Sequence, residues 1–200
     1  LSNGDDKPYE LNISWWSAME DSSRDSNRFQ FERFILTQLL VMALKGIPAF
    51  YLPALLASEN DIKSFSMTGQ RRDLNREKFK SENLLSVLNN PESNSNKNLK
   101  FLRNAMDIRS ELKQFHPCSE MECLSRGRSD IVVIKRGKGP KPIFAIHNMT
   151  ENKINYQLND IDLPKIIDND FNTHDFLTST KYNCKNISLD PFQVIWLSAL

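Results

Sequence analysis

The chain has 200 residues, of which 40% are hydrophobic and 26% charged, enough for one large domain or two small ones. Lys+Arg 26 against Asp+Glu 25 leaves a formal net charge of +1, so no global field draws the molecule to nucleic acid or an acidic membrane. Only six glycines argue against repeats, collagen and low-complexity disorder. The three cysteines, Cys118, Cys123 and Cys184, form no CxxC and lie near no histidine pair. They predict reduced thiols in a cytoplasmic protein, with neither a disulfide framework nor a zinc site.

The opening LSNGDDKPYE is polar and acidic, the reverse of a signal peptide. The first residue is leucine and no methionine precedes Met19, so the natural start is expected upstream. Trp15-Trp16 reads as a packing pair, with stacking on sugar rings as the alternative. Phe31, Phe34, Ile35, Gln38, Leu39, Met42 and Ala43 follow the i, i+3, i+4, i+7 pattern of a helix with one buried face. Asp25 or Ser26 is its expected N-cap and Gly46 its expected stop. Ile47–Leu52 reads as a short strand buried on both faces, with Pro48 near its start. The apolar stretch from 34 to 57 is cut by Lys45-Gly46, Pro48 and Pro53, so it predicts no membrane span.

After that run comes a polar loop from Ser58-Glu59-Asn60-Asp61 to Thr68-Gly69-Gln70-Arg71-Arg72-Asp73-Leu74-Asn75-Arg76, longer than most strand–helix connections. This is where α/β enzymes place substrate-binding groups. The five-donor fork of Arg76 suits vicinal hydroxyls or a carboxylate; the alternative is a solvated charged loop. Arg71, Arg72, Arg76, Lys78 and Lys80 make a poor nucleic-acid patch, because Asp73 and Glu77 interrupt them and no aromatic platform accompanies them. Helical patterns follow over Leu84–Leu88 and Leu99–Phe115.

The period changes near residue 117. Ile131–Ile134, Ile143–Ile146, Ile154–Leu158 and Phe192–Leu197 are short apolar or alternating runs between turn signals, among them the basic turn Arg136–Pro140. They predict an antiparallel β-sandwich. His116 and His147 close elements and read as structural, and His174-Asp175 as a surface pair, because neighbours on a strand face opposite ways. The sequons at Asn12, Asn148 and Asn186 carry no message about secretion. No phosphate loop, GxSxG elbow, HExxH or catalytic pair is visible, and no metal-ligand spacing links the histidines.

One buried strand cannot make a sheet alone, and a complete (β/α)₈ barrel takes roughly 250 residues. The fold class expected is therefore α/β plus all-β. Residues 1–116 would be the closing portion of a larger α/β domain whose beginning is missing, and 117–200 an antiparallel β-sandwich.

Four segments in order carry a resemblance: Pro8–Ile13, Leu44–Tyr51, Ser58–Asp61 and Asp73–Lys78, with Leu189–Leu197 at the end. Together they resemble the C-terminal part of the sucrose phosphorylase group of glycoside hydrolase family 13, which includes the glucosylglycerate phosphorylases. The resemblance implies that residues 1–116 are the C-terminal segment of a (β/α)₈ TIM barrel and 117–200 the β-sandwich that follows it, with the first helix as the seventh of the barrel and Ile47–Leu52 as its eighth strand. It implies a retaining mechanism in which an Asp nucleophile and a Glu acid/base pass a glucosyl unit to phosphate. Those carboxylates lie outside this chain, so the resemblance assigns it no catalytic residue and predicts it inactive alone. Arg76 matches the arginine that hydrogen-bonds the glucosyl unit, and Tyr9 and Glu10 the loop flanking the acceptor and phosphate. Sucrose phosphorylases typically carry Gln where Glu10 stands, and the PYE sequence is closer to the glucosylglycerate branch. Segment Lys63–Arg72 departs from the group's pattern. No cofactor or metal is implied; phosphate is the co-substrate, an α-glucoside the substrate, and the partner needed is the missing barrel segment. The alternatives are a stand-alone carbohydrate-binding remnant and a family 13 hydrolase or transglucosidase.

Overall fold

The structure is a computed structural model and describes residues 10–21, 28–125, 127–158 and 172–198. It forms two compact units, one of residues 1–20 and 50–98 and the other of 21–49 and 99–200. All strands among the described residues lie after Glu120.

In the first unit the Ser14–Met19 turn and the loop after Ala57 hold each other by backbone-to-side-chain bonds. Ser14 N–H donates to Asn60 Oδ1 at 2.7 Å, and Asn60 N–H to Ser17 Oγ at 3.1 Å. Helix α2 (Leu52–Leu55) has Pro53 in its first turn, where no N–H is missed. The carbonyls of Ala54 and Leu55 at its end accept from Asn98 Nδ2 at 3.0 and 2.8 Å, so a side chain helps finish a helix too short to finish itself. Helix α3 (Ile62–Thr68) is capped by Asp61, whose carboxylate accepts from the Ser64 N–H, and ends at Gly69 with φ +67°. Helix α4 (Ser81–Asn89) covers the expected Leu84–Leu88 pattern, but no residue of it is buried.

The strand expected over Ile47–Leu52 is not there. The backbone is extended, with Tyr51 at φ −81° and ψ 138°, yet it joins no ladder, and Leu52 already begins α2. Ile47, Tyr51 and Leu52 are 83%, 57% and 49% exposed, the opposite of a strand buried on both faces. Two prolines explain the local shape. Pro48 brings no donor to a ladder, and Pro53, in the first turn of α2, suits a helix start where a strand would have to continue.

The second unit joins helix α1 (Gln30–Ala43) and helix α5 (Asn94–Glu111) from Leu99 onward to the strands. The predicted face of α1 is buried at Phe34, Ile35, Gln38, Leu39, Met42 and Ala43, with Leu36 added. The helix starts after Phe29, which has φ +68°; the expected caps Asp25 and Ser26 lie outside the described residues. It stops at Ala43, three residues before Gly46.

Strands β1 (Met121–Cys123), β2 (Ile131–Arg136), β3 (Ile143–Asn148) and β8 (Val194–Ser198) form one antiparallel sheet in the order β1-β2-β3-β8. Two ribbons complete the β part: β4 (Ile154–Tyr156) with β7 (Ile187–Leu189), and β5 (Asn172–His174) with β6 (Lys181–Asn183). The register sets Val133 beside Ile146 and Ile146 beside Ile195, so their side chains share one sheet face. That face joins the core of Ile131, Phe144, Leu197, Leu158, Ile187 and Leu189. The other face carries Ile134, Ala145 and Trp196, and there Trp196 meets Phe115 at 4.7 Å between ring centroids. Helix α1 packs on β3. With both faces covered, β3 and β8 are buried along their whole length, which is why their sequences run apolar without strict alternation.

Two side chains expected at the surface are buried. Asp175 has no exposed surface; its Oδ1 accepts the Trp196 N–H at 2.7 Å and its Oδ2 the Thr178 hydroxyl at 2.7 Å. His174 is exposed, so the two do part to opposite sides, but the inward one ties the β5–β6 ribbon to β8. Arg136, read as part of a basic turn, is also fully buried. Its Nη1 donates to the Ala43 carbonyl at 3.0 Å and its Nη2 to that of His116 at 2.9 Å. Arg109 donates to Met42 and Gly46 carbonyls at 2.9 and 3.1 Å. Both guanidiniums lie over the Phe115 ring, and burial lowers the pKa of each. His147 is fully buried and its Nδ1 faces the Val132 carbonyl at 3.2 Å. Asn148 is buried too, with Nδ2 donating to the Asn152 and Asp190 carbonyls at 2.7 and 2.8 Å. The three cysteines are free thiols, Cys118 and Cys123 exposed and Cys184 buried.

Candidate functional site

The sequence singles out Arg76, Tyr9 and Glu10. Tyr9 lies outside the described residues. Glu10 and Arg76 both belong to the first unit, where the 58–76 loop folds into α3 and a 3₁₀ turn, Arg71–Asn75. Local bonds fix this turn. Thr68 Oγ1 donates to Asp73 Oδ2 at 2.7 Å, and the Asp61 N–H donates to the Leu74 carbonyl at 2.7 Å. Asp61 in turn accepts two bonds from Ser64, which lower its pKa and keep it ionised as a cap.

The turn presents Arg72 to Glu10. Arg72 Nε meets Glu10 Oε1 at 3.0 Å and Nη2 meets Oε2 at 3.3 Å, a two-point contact between residues 62 apart in the chain. The carboxylate raises the Arg72 pKa. Arg76 does not join the pair. It is exposed just past the turn, with φ −130° and ψ 56°, and its guanidinium has no polar partner among the described residues. A cation so placed is free to meet an incoming hydroxyl, carboxylate or phosphate.

The first unit also holds an open cavity of about 350 Å³, lined by Leu11, Ile13, Trp15, Tyr51, Ala54 and Asn75 among others. Leu11 follows Glu10 in the chain and Asn75 precedes Arg76, but neither charged residue lines it, nor does Arg72. The wall is largely aromatic and aliphatic, and Asn75 Oδ1 is buried with no partner among the described residues. Trp15 and Trp16 divide their roles: Trp16 is 3% exposed and in the core, whereas Trp15 is 42% exposed and lines the cavity. A second open cavity, about 700 Å³, is bounded by Ser58–Lys63 and Glu77–Lys80.

Arg72 enters the site description only through the structure. In the sequence it reads as one more charge in a loop, and no spacing rule joins positions 10 and 72. Among the described residues no group of three or more His, Cys, Asp or Glu gathers to hold a metal, and no Asp or Glu lines the smaller cavity.

In sequence the chain is similar to glucosylglycerate phosphorylases. It is 29% identical to that of Allomeiothermus silvanus over 145 residues, which are 72% of this chain and 26% of the relative. It is 22% identical to that of Escherichia coli over 195 residues, 98% of this chain and 33% of the relative. A sucrose phosphorylase from Streptococcus mutans is 24% identical over 130 residues, 65% of this chain and 24% of the relative. The chain thus spans a third or less of the length of these curated relatives. No family model matches. In structure it is similar to AmyP E221Q in complex with maltotriose, with a TM-score of 0.70 and 13% identity over 92% of this chain and 37% of that one. The trehalose-6-phosphate hydrolase of Bacillus licheniformis gives a TM-score of 0.60 at 16% identity over 88% of this chain and 40% of that one. The fold is shared with parts of these two solved structures. In sequence the chain is similar to glucosylglycerate and sucrose phosphorylases.

Proposed function

We propose that the chain is the carboxyl-terminal portion of a retaining glucoside phosphorylase, moving a glucosyl unit from an α-glucoside such as glucosylglycerate or sucrose to phosphate. The similarity to the Escherichia coli glucosylglycerate phosphorylase along 195 residues carries this reading. In it, α1, α4 and α5 belong to the closing part of the barrel and the β part is the accessory module. The nucleophile and the acid/base carboxylates belong to the part of the barrel not contained here. What this chain contributes is binding. Arg76 hydrogen-bonds the glucosyl unit, and Tyr9 and Glu10 flank the acceptor and phosphate. A covalent glucosyl intermediate passes to phosphate, so no cofactor or metal is required, and water has to be kept from the site.

The test is a chimera in which this chain replaces the matching segment of the Escherichia coli enzyme. We expect glucose 1-phosphate from glucosylglycerate plus phosphate, retention of the α configuration, and a loss of about a hundredfold or more in Arg76→Ala. The isolated chain is expected to turn over neither substrate. Release of free glucose with no dependence on phosphate would make the parent protein a hydrolase. Turnover by the isolated chain, or full activity in Arg76→Ala, would overturn the assignment.

A further inference from the structure

Segment Ser58–Asp61 carries part of the family resemblance, yet the proposed function gives it no task. Its Asn60 is bonded to the turn that follows Glu10. Ser14 N–H donates to Asn60 Oδ1 at 2.7 Å, Asn60 N–H to Ser17 Oγ at 3.1 Å, and Ser17 N–H to Ser14 Oγ at 3.1 Å, a closed circuit of three bonds. Ser14 is buried, so its N–H would lack a ready replacement for the Asn60 oxygen. The next residue holds the other side. Asp61 N–H donates to the Leu74 carbonyl at 2.7 Å, two residues before Arg76, and the Asp61 carboxylate caps α3 through Ser64. Adjacent residues of one motif thus grip the segment that carries Glu10 and the turn that carries Arg76. The other tie between the two segments, Glu10 with Arg72, has side chains 37% and 54% exposed, and exposed ion pairs hold a geometry weakly.

Resting on the phosphorylase reading, we propose that Asn60 is a positioning residue: its side chain sets where the Glu10 segment lies against the Arg76 turn. It acts through that segment and not on the reacting atoms. The Arg76 turn keeps its own bonds, Thr68 Oγ1 to Asp73 Oδ2 and Asp61 N–H to the Leu74 carbonyl, neither of which involves the Asn60 side chain. Loss of that side chain therefore loosens the hold on phosphate and leaves the hold on the glucosyl unit in place.

The experiment measures phosphorolysis of glucosylglycerate by the same chimera as phosphate is varied. Asn60→Ala is expected to raise the KM for phosphate about tenfold or more, with kcat at saturating phosphate changed less than about threefold. Its product should shift from glucose 1-phosphate toward free glucose, because water then competes better for the intermediate. Asn60→Asp keeps the acceptor oxygen and should return the KM to within about threefold of the unmodified chimera. A fall in kcat with an unchanged KM, or Asn60→Asp as impaired as Asn60→Ala, overturns the proposal. An unmodified chimera that releases neither glucose 1-phosphate nor glucose fails at the functional reading. The positioning role is then decided by amide hydrogen exchange in the chain itself. Asn60→Ala should speed exchange of the Ser14 and Ala18 N–H groups about tenfold or more, while those of Asp61 and Asp73 keep their protection. Unchanged exchange at Ser14, or protection lost at all four, overturns the proposal.

Discussion

His147 shows how one buried side chain makes a stability curve depend on pH. Burial pushes its pKa from 6.5 down to about 4, so the folded state holds it neutral while the unfolded state takes a proton below 6.5. Stability contributed by the neutral ring is present above 6.5 and lost as pH falls toward 4, by about 3 kcal/mol in all. Urea midpoints between pH 7 and pH 4 should fall accordingly, and His147→Gln should flatten that slope. Asp175 works with the opposite sign. Burial raises its pKa above 3.8 against the pull of three donors, so the folded state binds its proton more tightly than the unfolded one. Its ionisation costs stability as pH rises through that interval. Asp175→Asn should therefore lose little at neutral pH, since an amide oxygen still accepts from Trp196 and Leu177. Asp175→Ala should cost about 2–3 kcal/mol, because those N–H groups are left buried without partners. Thermal or urea denaturation of the two variants separates charge from hydrogen bonding.

Helix α1 ends in an unusual way for its length. Its terminal carbonyls find two arginines brought from α5 and β2, and no capping glycine. Neither arginine has a carboxylate within ion-pair distance among the described residues. The carbonyls and the Phe115 ring take that place, which suits a guanidinium because it is planar and weakly hydrated. Arg136→Met keeps the packing volume and removes the donors; we expect a loss of about 2–4 kcal/mol in urea unfolding. Gly137, next in the chain, has φ +81° and no room for a Cβ, which would meet Gln114 Cγ at 2.9 Å, so Gly137→Ala should destabilise as well. Helix α1, the long helix and the main strands were legible because each repeats an apolar period over many residues. The Ile47–Leu52 strand was misread because a short apolar run fixes no neighbour, and a strand without a neighbour is only extended chain. Arg136 and Asp175 were misread for a different reason. Charged residues beside glycines or in polar stretches look solvated, and only the tertiary fold shows that backbone groups from distant segments come to meet them. At the site, the family motif marked Glu10 and Arg76, but nothing in the sequence pairs Glu10 with Arg72.

Among the described residues, most of the exposed large apolar side chains belong to the first unit. Leu11, Trp15, Tyr51 and Leu52 are 82%, 42%, 57% and 49% exposed, three of them lining the smaller cavity. Such surface favours association, so the isolated chain should bind a hydrophobic dye and self-associate in sedimentation velocity, and Trp15→Ser with Leu52→Ser should lessen both. No helix among the described residues is long and apolar enough to cross a membrane. The double burial of the central sheet bears on how this β module can travel in evolution. A polypeptide begun at Pro117 would strip α1 from the Trp196 face, bare His147 and leave Arg136 without the Ala43 carbonyl. The module is therefore not a cassette that a gene fusion can move by cutting where the strands begin; the helix that lies eighty residues earlier has to move with it.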